Sequence, residues 1–326
     1  MAADEFLHKY GPVALVTGAS AGIGRSFATN LAAKGFNLVL SARRAPELEG
    51  LARELKGQHG VQVTVCQVDL TEVTAVQQIL NATGALDVGL VVSNAGYGFR
   101  GDHASQDPTA LTGMLMVNCL APMLLAQGFA SRLRARGKGG IIFTSSVEAL
   151  LGMPNSVAYG ASKGFVNRLG EGLWGELTPD GIDVLTVCPG ATATDALRRA
   201  GMDPAAVPNV MSPDEVAGLA LENITNGPTY LPNAHYQKLF EQLLAMVVGQ
   251  PIHGQPALLV WVGQVAGCTC RGWSSSIRET GGADAAAVQE WLRSVRHRLR
   301  RTEAAGHHNR CRRRERRSRQ KATARG

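Results

Sequence analysis

Cysteine is scarce in this sequence. Its 326 residues hold six, Cys66, Cys119, Cys188, Cys268, Cys270 and Cys311, with no spacing that builds the disulfide framework of a small secreted domain. Reduced thiols in the cytoplasm are therefore expected. Long apolar runs are missing too. A bilayer span needs about 18 or more consecutive apolar residues, and the nearest stretch, residues 256–268, is short and interrupted. The opening Met-Ala-Ala-Asp-Glu-Phe has no basic region followed by an apolar one, so a secretory signal is not expected. No internal repeat stands out.

What is present is 45% hydrophobic residues, enough for a sizeable core, and a formal net charge of +7. The charge is unevenly placed. Residues 247–326 carry 16 Lys+Arg against 5 Asp+Glu, a net of +11, which leaves residues 1–246 at −4. Global charge thus says nothing about the body of the chain, which reads as one catalytic domain over residues 1–246. An atypical Arg-rich tail, expected to be largely disordered, fills residues 247–326.

The body alternates strand and helix signals. Short apolar strands are expected at residues 14–17, 37–42, 62–68, 88–93, 140–145 and 182–188. Helices are expected at 21–34, 46–56, 72–81, 109–136 and 158–177. Nearly continuous apolar strands separated by helices imply an α/β doubly wound parallel sheet covered on both faces. Ligands of such folds sit beyond the carboxyl ends of the strands.

Residues 17–24, Thr-Gly-Ala-Ser-Ala-Gly-Ile-Gly, follow the first strand and open the first helix. Gly18 permits the tight turn, Gly22 lets backbone approach a pyrophosphate, and Gly24 allows close packing of helix on strand. With Ser20 and Ile23 they form a dinucleotide-binding turn whose phosphates meet the helix N-terminus. An enzyme that binds NAD places an acid at the end of the second strand to hold the ribose 2′-hydroxyl. No carboxylate occurs there before Glu47; Arg43 and Arg44 occupy the region instead. A guanidinium suits a 2′-phosphate, so NADP(H) is expected, with Arg43 as the main contact and Arg44 the weaker candidate.

Residues 159–163, Tyr-Gly-Ala-Ser-Lys, place Tyr159 and Lys163 on one helical face. A tyrosine of ordinary pKa, about 10, is a poor acid near neutral pH, and a nearby ammonium favours its ionised form. Ser146 lies at a strand's carboxyl end thirteen residues before Tyr159, where its hydroxyl faces the cofactor crevice. Asn94-Ala95-Gly96 follows the fourth strand, and Asn118 sits inside the long helical stretch, a poor place for asparagine without a specific role.

With these motifs in this order, the sequence resembles the short-chain dehydrogenase/reductase family over residues 10–245, and the resemblance implies its Rossmann fold. It implies a catalytic tetrad of Asn118, Ser146, Tyr159 and Lys163. In that reading Tyr159 moves the proton, Ser146 positions the carbonyl or alcohol, and Lys163 lowers the Tyr159 pKa and holds the nicotinamide ribose. Asn118 anchors a water that links Lys163 to solvent. It further implies that Asp69 meets the adenine, that Asn94 steadies the central sheet, and that Pro189, Gly190, Thr192 and Thr194 receive the carboxamide. Ala95 and Gly96 complete the cofactor set. The Gly-Gly pair that closes many members is missing after residues 228–232, which argues against the common tetramer and leaves a homodimer to be looked for.

The expected activity is NADPH-dependent reduction of an apolar carbonyl, or oxidation of the corresponding alcohol. Tyr97, Phe99, Leu150, Leu151 and Met153 are the candidate substrate walls, residues 195–211 a mobile lid, and Glu148 either a polar substrate contact or a solvent-facing residue. One alternative is a non-catalytic NADP-binding protein. Another gives function to the tail, as an arm for nucleic acid or anionic lipid, although neither a nucleic acid nor a membrane is the expected partner. The tail also has the Arg, Gly, Ala and Pro bias of an out-of-frame reading of GC-rich DNA. Cys268, Cys270, His307, His308 and Cys311 fit no compact zinc site, so no metal is expected.

Overall fold

The computed structural model describes residues 3–199, 203 and 205–249. The tail beyond Gly249, with Cys268, Cys270, His307, His308 and Cys311, lies outside the described residues. The first compact unit is Met1–Gln237.

Helix α1 (Ala3–Tyr10) precedes β1 (Val13–Thr17), α2 (Gly22–Ala33), β2 (Asn37–Ala42), α3 (Ala45–His59) and β3 (Val63–Gln67). Then come α4 (Ala75–Ala82), β4 (Val88–Ser93), α5 (Pro108–Leu115), α6 (Ala121–Arg136) and β5 (Gly139–Thr144). Next are α7 (Val157–Leu177), β6 (Ile182–Val187), α8 (Asp195–Arg199), α9 (Pro213–Glu222), β7 (Thr229–Tyr230) and α10 (Ala234–Gly249). The seven strands form one sheet in the order β3-β2-β1-β4-β5-β6-β7, and every pairing is parallel. This is the doubly wound Rossmann arrangement, and the chain reverses its direction of winding between β1 and β4.

Strand alternation explains the two layers. Ala14 and Val16 of β1, Leu90 and Val92 of β4, and Leu185 and Val187 of β6 pack with α2, α3 and α9. Leu15, Val91, Ile141, Phe143 and Val184 point the other way, into the layer of α4, α6 and α7. Both faces are apolar because helices cover both, so the strands read as unbroken apolar runs.

The stretch expected as one helix over 109–136 is divided. A π-helical turn, Met116–Leu120, joins α5 to α6 and contains Asn118. Among the described residues, the composite Pro108–Arg136 is also the one helix long and apolar enough to cross a membrane. Its Val117, Leu125, Phe129 and Leu133 are buried in the layer against the sheet, as in a covering helix. Helix α1 was not expected from sequence; its Phe6 and Tyr10 are buried, and Tyr10 donates to Asp183 of β6.

Candidate active site

The glycine-rich turn sits between β1 and α2, at the reversal point. Gly18 and Gly22 have φ of +68° and +54°, in the region that favours glycine. A Cβ on Gly24 would stand 2.3 Å from the Gly18 carbonyl oxygen, so only glycine lets α2 start this close to β1. The α2 N-terminus has no side-chain cap and no acidic residue in its first turn, leaving its N–H groups to an outside acceptor. These features fit a dinucleotide pyrophosphate.

The two guanidinium groups after β2 have different partners. Arg44 Nη2 donates to Ser20 Oγ at 3.1 Å, reaching the glycine-rich turn, and Arg44 also pairs with Glu47 at 3.1 Å. Arg43 lies 3.9 Å from the Asp69 carboxylate instead. Asp69 accepts from both the backbone and the hydroxyl of Thr71, at 3.0 and 2.9 Å. Ser20, Arg44, Arg43 and Asp69 therefore frame one stretch of the crevice.

Asn94 joins three strands. Its backbone N–H donates to Thr17 Oγ1 (3.0 Å), its side-chain amide donates to the Thr17 carbonyl (3.1 Å), and its Oδ1 accepts from Thr144 Oγ1 (3.1 Å). Ala95 N–H also donates to Thr17 Oγ1. Thr17 and Thr144 are thus partners that the motif reading missed; a hydroxyl residue closing each of the two strands that flank β4 was the available signal.

The tetrad residues come together at the ends of β5 and α7. Asn118 is buried, accepts from Tyr97 N–H (3.1 Å), and donates to the Tyr97 carbonyl (2.8 Å) and to Ser162 Oγ (2.9 Å). Its side chain locks the loop after β4 onto α7. Gly96 and Gly98 of that loop pack closely: a Cβ on Gly98 would lie 2.4 Å from the Tyr159 ring. Lys163 Nζ donates to the Thr144 carbonyl (2.9 Å) and stands 5.8 Å from the Tyr159 ring centroid. Burial pulls its pKa down to about 8, against Cys119 and Cys188, which act to raise it. Cys188, beside it, is pushed up to about 12 by burial and stays a thiol.

Ser146 Oγ accepts from the Glu148 N–H at 3.2 Å, and the Ser146 hydroxyl acts to favour the Tyr159 phenolate. Burial, then the Glu148 charge, hold the Tyr159 phenol above its ordinary value; the Ser146 hydroxyl and the Arg100 charge act to lower it. Glu148 itself is buried, not solvent-facing. It pairs with Arg100 and accepts from Ser156 Oγ.

Beside Tyr159 a cleft is lined by Phe99, Leu111, Met114 and Val157, with His103 and Gln106 as polar members. Phe99, one of the expected substrate walls, lines this cleft. Tyr97 turns towards α5, where a Cβ on Gly113 would lie 3.0 Å from its hydroxyl, and Met153 is buried. Leu150 and Leu151 are half-buried. On the other side, the Pro189 carbonyl accepts from Val147 N–H (3.0 Å), and Thr192 Oγ1 donates to the Gly190 carbonyl (3.1 Å). Thr194 reaches the glycine-rich turn: a Cβ on Gly22 would stand 3.1 Å from its methyl. The expected lid at 195–211 begins with α8 and ends at Met211, paired with Thr192; residues 200–202 and 204 lie outside the described residues. Among the described residues no cluster of His, Cys, Asp and Glu could hold a metal ion.

The model of the short chain dehydrogenase family matches residues 12–204. The chain belongs to that family. It is therefore an oxidoreductase of CH–OH and C=O groups that uses a nicotinamide dinucleotide, NAD or NADP. It is 30% identical over 227 residues to a 7beta-hydroxysteroid dehydrogenase of Clostridium sardiniense, covering 69% of this chain and 87% of the relative. Among solved structures, a short-chain dehydrogenase from Sphingobium yanoikuyae in complex with NADPH is similar at 32% identity and a TM-score of 0.67. The match covers 76% of this chain and 98% of that one. A bulky-bulky ketone specific alcohol dehydrogenase from Comamonas testosteroni matches at 30% identity and a TM-score of 0.63, over 76% and 98% of the two chains.

Proposed function

We propose that this chain is an NADPH-dependent carbonyl reductase that converts an apolar ketone to a secondary alcohol, or runs the reverse reaction. The observation that carries this reading is the shared face of α7 that holds Tyr159 and Lys163, with Lys163 Nζ 5.8 Å from the Tyr159 ring centroid and Ser146 on the segment that follows β5. The bound nicotinamide supplies or takes the hydride at the carbinol carbon. The chain supplies the proton.

Glu148 N–H fills an acceptor site of Ser146 Oγ, which leaves the serine O–H to donate to a substrate oxygen. Tyr159, still protonated at neutral pH, donates to that same oxygen as it becomes an alcohol. Lys163, mostly charged below about pH 8, holds the sugar hydroxyls beside Tyr159. Asn118 fixes the loop carrying Gly96 and Gly98 so that this space keeps its shape, and Asn94 does the same for β1, β4 and β5. The 2′-phosphate falls to Arg44, Ser20 and Arg43, the adenine to Asp69, and the pyrophosphate to Gly18, Gly22, Ile23 and Gly24. Ala95 would border the nucleotide, and Pro189, Gly190, Thr192 and Thr194 would hold the carboxamide.

The apolar substrate class is supported by the steroid and bulky-ketone substrates named for the relatives, with Phe99 and Met114 standing beside Tyr159. We also infer that residues 1–246 are the catalytic domain and that the enzyme works in the cytoplasm, a reading supported by free Cys66, Cys119 and Cys188. A homodimer is the assembly this reading carries, supported by the exposed Leu115, Met123 and Phe165 on α5, α6 and α7.

The test is consumption of NADPH with a panel of bulky ketones, against NADH. Tyr159→Phe is expected to cut turnover by roughly 10²-fold or more, the usual worth of a positioned acid, while NADPH binding persists. Full turnover in that variant sinks the proposed proton transfer.

A further inference from the structure

We propose that Tyr236 is a positioning residue: its ring, carried by the start of α10, backs the Pro189-Gly190 turn and sets where that turn meets the nicotinamide end of the cofactor. The inference rests on the reading that gives this turn to the carboxamide, and adds to it what holds the turn in place.

Three observations carry it. The first is the contact itself. A Cβ on Gly190 would stand 1.9 Å from Cε2 of the Tyr236 ring, 2.4 Å from Cδ2 and 2.7 Å from Cζ. The ring therefore occupies the space that a side chain at position 190 would need. Gly190 does not have a positive φ, so Tyr236 and not the backbone conformation requires glycine here. Second, hydrogen bonds hold the turn on either side of this contact. The Pro189 carbonyl accepts from the N–H of Val147, the neighbour of Ser146, and the Ala191 carbonyl accepts from Met211 N–H, both at 3.0 Å. Gly190 lies between these two anchors without a side chain, and the ring supplies the packing that its own residue cannot. Third, the ring is itself fixed. Tyr236 is only 9% exposed. The helix start that carries it is tied by Asn233, whose Oδ1 accepts from His235 N–H and whose amide donates to the Asn209 carbonyl, both at 2.9 Å. All of these residues belong to the compact unit Met1–Gln237.

A ring that merely filled the core would, once removed, weaken every part of the nucleotide site. A ring that seats the turn affects the nicotinamide end alone. The residues assigned to the 2′-phosphate and adenine follow β1, β2 and β3, whereas the turn follows β6, well across the strand order. Two ligands separate the cases: NADPH, and adenosine 2′,5′-bisphosphate, which keeps the adenine and the 2′-phosphate but has no nicotinamide.

The experiment is calorimetric titration of the full chain with each ligand. Tyr236→Ala is expected to raise the Kd for NADPH about fivefold or more, the worth of roughly one neutral hydrogen bond, and to leave that for the bisphosphate within about twofold. Tyr236→Phe, which keeps the ring, is expected to match the parent with both ligands. Gly190→Ala pushes the same contact apart from the other side and is expected to show the same split, so the test does not depend on Tyr236→Ala folding. In the Tyr236→Ala background, Gly190→Ala should cost little more, because the added methyl then has room. Equal weakening of both ligands, an NADPH Kd that Tyr236→Ala leaves unchanged, or additive losses in the double variant overturn the inference. A parent chain that binds neither ligand overturns the nucleotide reading itself. A parent that binds both, with no split in the variants, overturns only the role of Tyr236.

Discussion

Arg44 and Arg43 differ in consequence although they are adjacent. At the end of a strand, successive side chains leave on opposite sides, and here that alternation sends Arg44 to Ser20 and Arg43 towards Asp69. A charge-assisted bond to a phosphate is worth about 1.5–3 kcal/mol, with the low end apt for half-exposed guanidinium groups. Arg44→Ala is expected to lower kcat/KM for NADPH roughly tenfold and to leave NADH nearly unchanged, with Arg43→Ala weaker. A chain that prefers NADH, or a preference that survives both substitutions, sinks the 2′-phosphate assignment. Sequence alone made the arginine pair legible, because a missing acid is visible in a string of letters. Which arginine turns inward depends on where β2 ends, and no local pattern states that. Tyr159, Lys163 and Ser146 were legible for the opposite reason: helical spacing and a strand end each dictate a direction. Glu148 was ambiguous because its partner, Arg100, arrives from a loop 48 residues earlier.

Among the elements, strands β2 and β4 are found at the bounds their apolar runs imply, since chain buried on both faces has only one composition available to it. The π-helical turn at Asn118 was not legible beyond the oddity of a mid-helix asparagine; one extra residue per turn leaves no periodic mark over so short a span. Helix α9 was not read from sequence, although Ser212 and Glu215 form a capping box around Pro213. Helix α7 shows how packing restricts sequence within one element. A Cβ on Gly170 would stand 1.9 Å from Thr186 Oγ1 of β6 and 3.5 Å from Phe143 of β5, whereas one on Gly172 meets nothing within 4 Å. Gly170→Ala is therefore expected to destabilise the fold by about 1–3 kcal/mol through overpacking. Gly172→Ala is expected to be neutral or to stabilise by about 0.4–1 kcal/mol, because alanine has fewer unfolded conformations to lose. Thermal melts of the two variants decide it: equal midpoints would mean that α7 does not seat on β6 at Gly170.

For the whole molecule, the net charge of +7 separates into a body at −4 and a stretch at +11. The cations that the proposed reading assigns to the site are local ones, Arg44 with Arg43 after β2 and Lys163 beside Tyr159, and every element that places them lies between β1 and β7. The compact unit ends at Gln237, before the basic surplus begins. If residues 247–326 take no part in the chemistry, a chain ending at Met246 should keep kcat/KM for NADPH and ketone within about twofold. Electrostatics then supplies an independent check, because long-range attraction follows net charge and is screened by salt over about 10 Å at 0.1 M. At neutral pH and low salt the shortened chain should bind an anion exchanger, while the full chain should bind a cation exchanger or a DNA column and leave it as salt rises. A large fall in kcat/KM on shortening, with the melting temperature unchanged, would show that the basic stretch serves the reaction and would break the division of the chain at that point. Retained activity together with reversed exchange behaviour would place the surplus charge outside catalysis and leave the cations that serve turnover within residues 1–246.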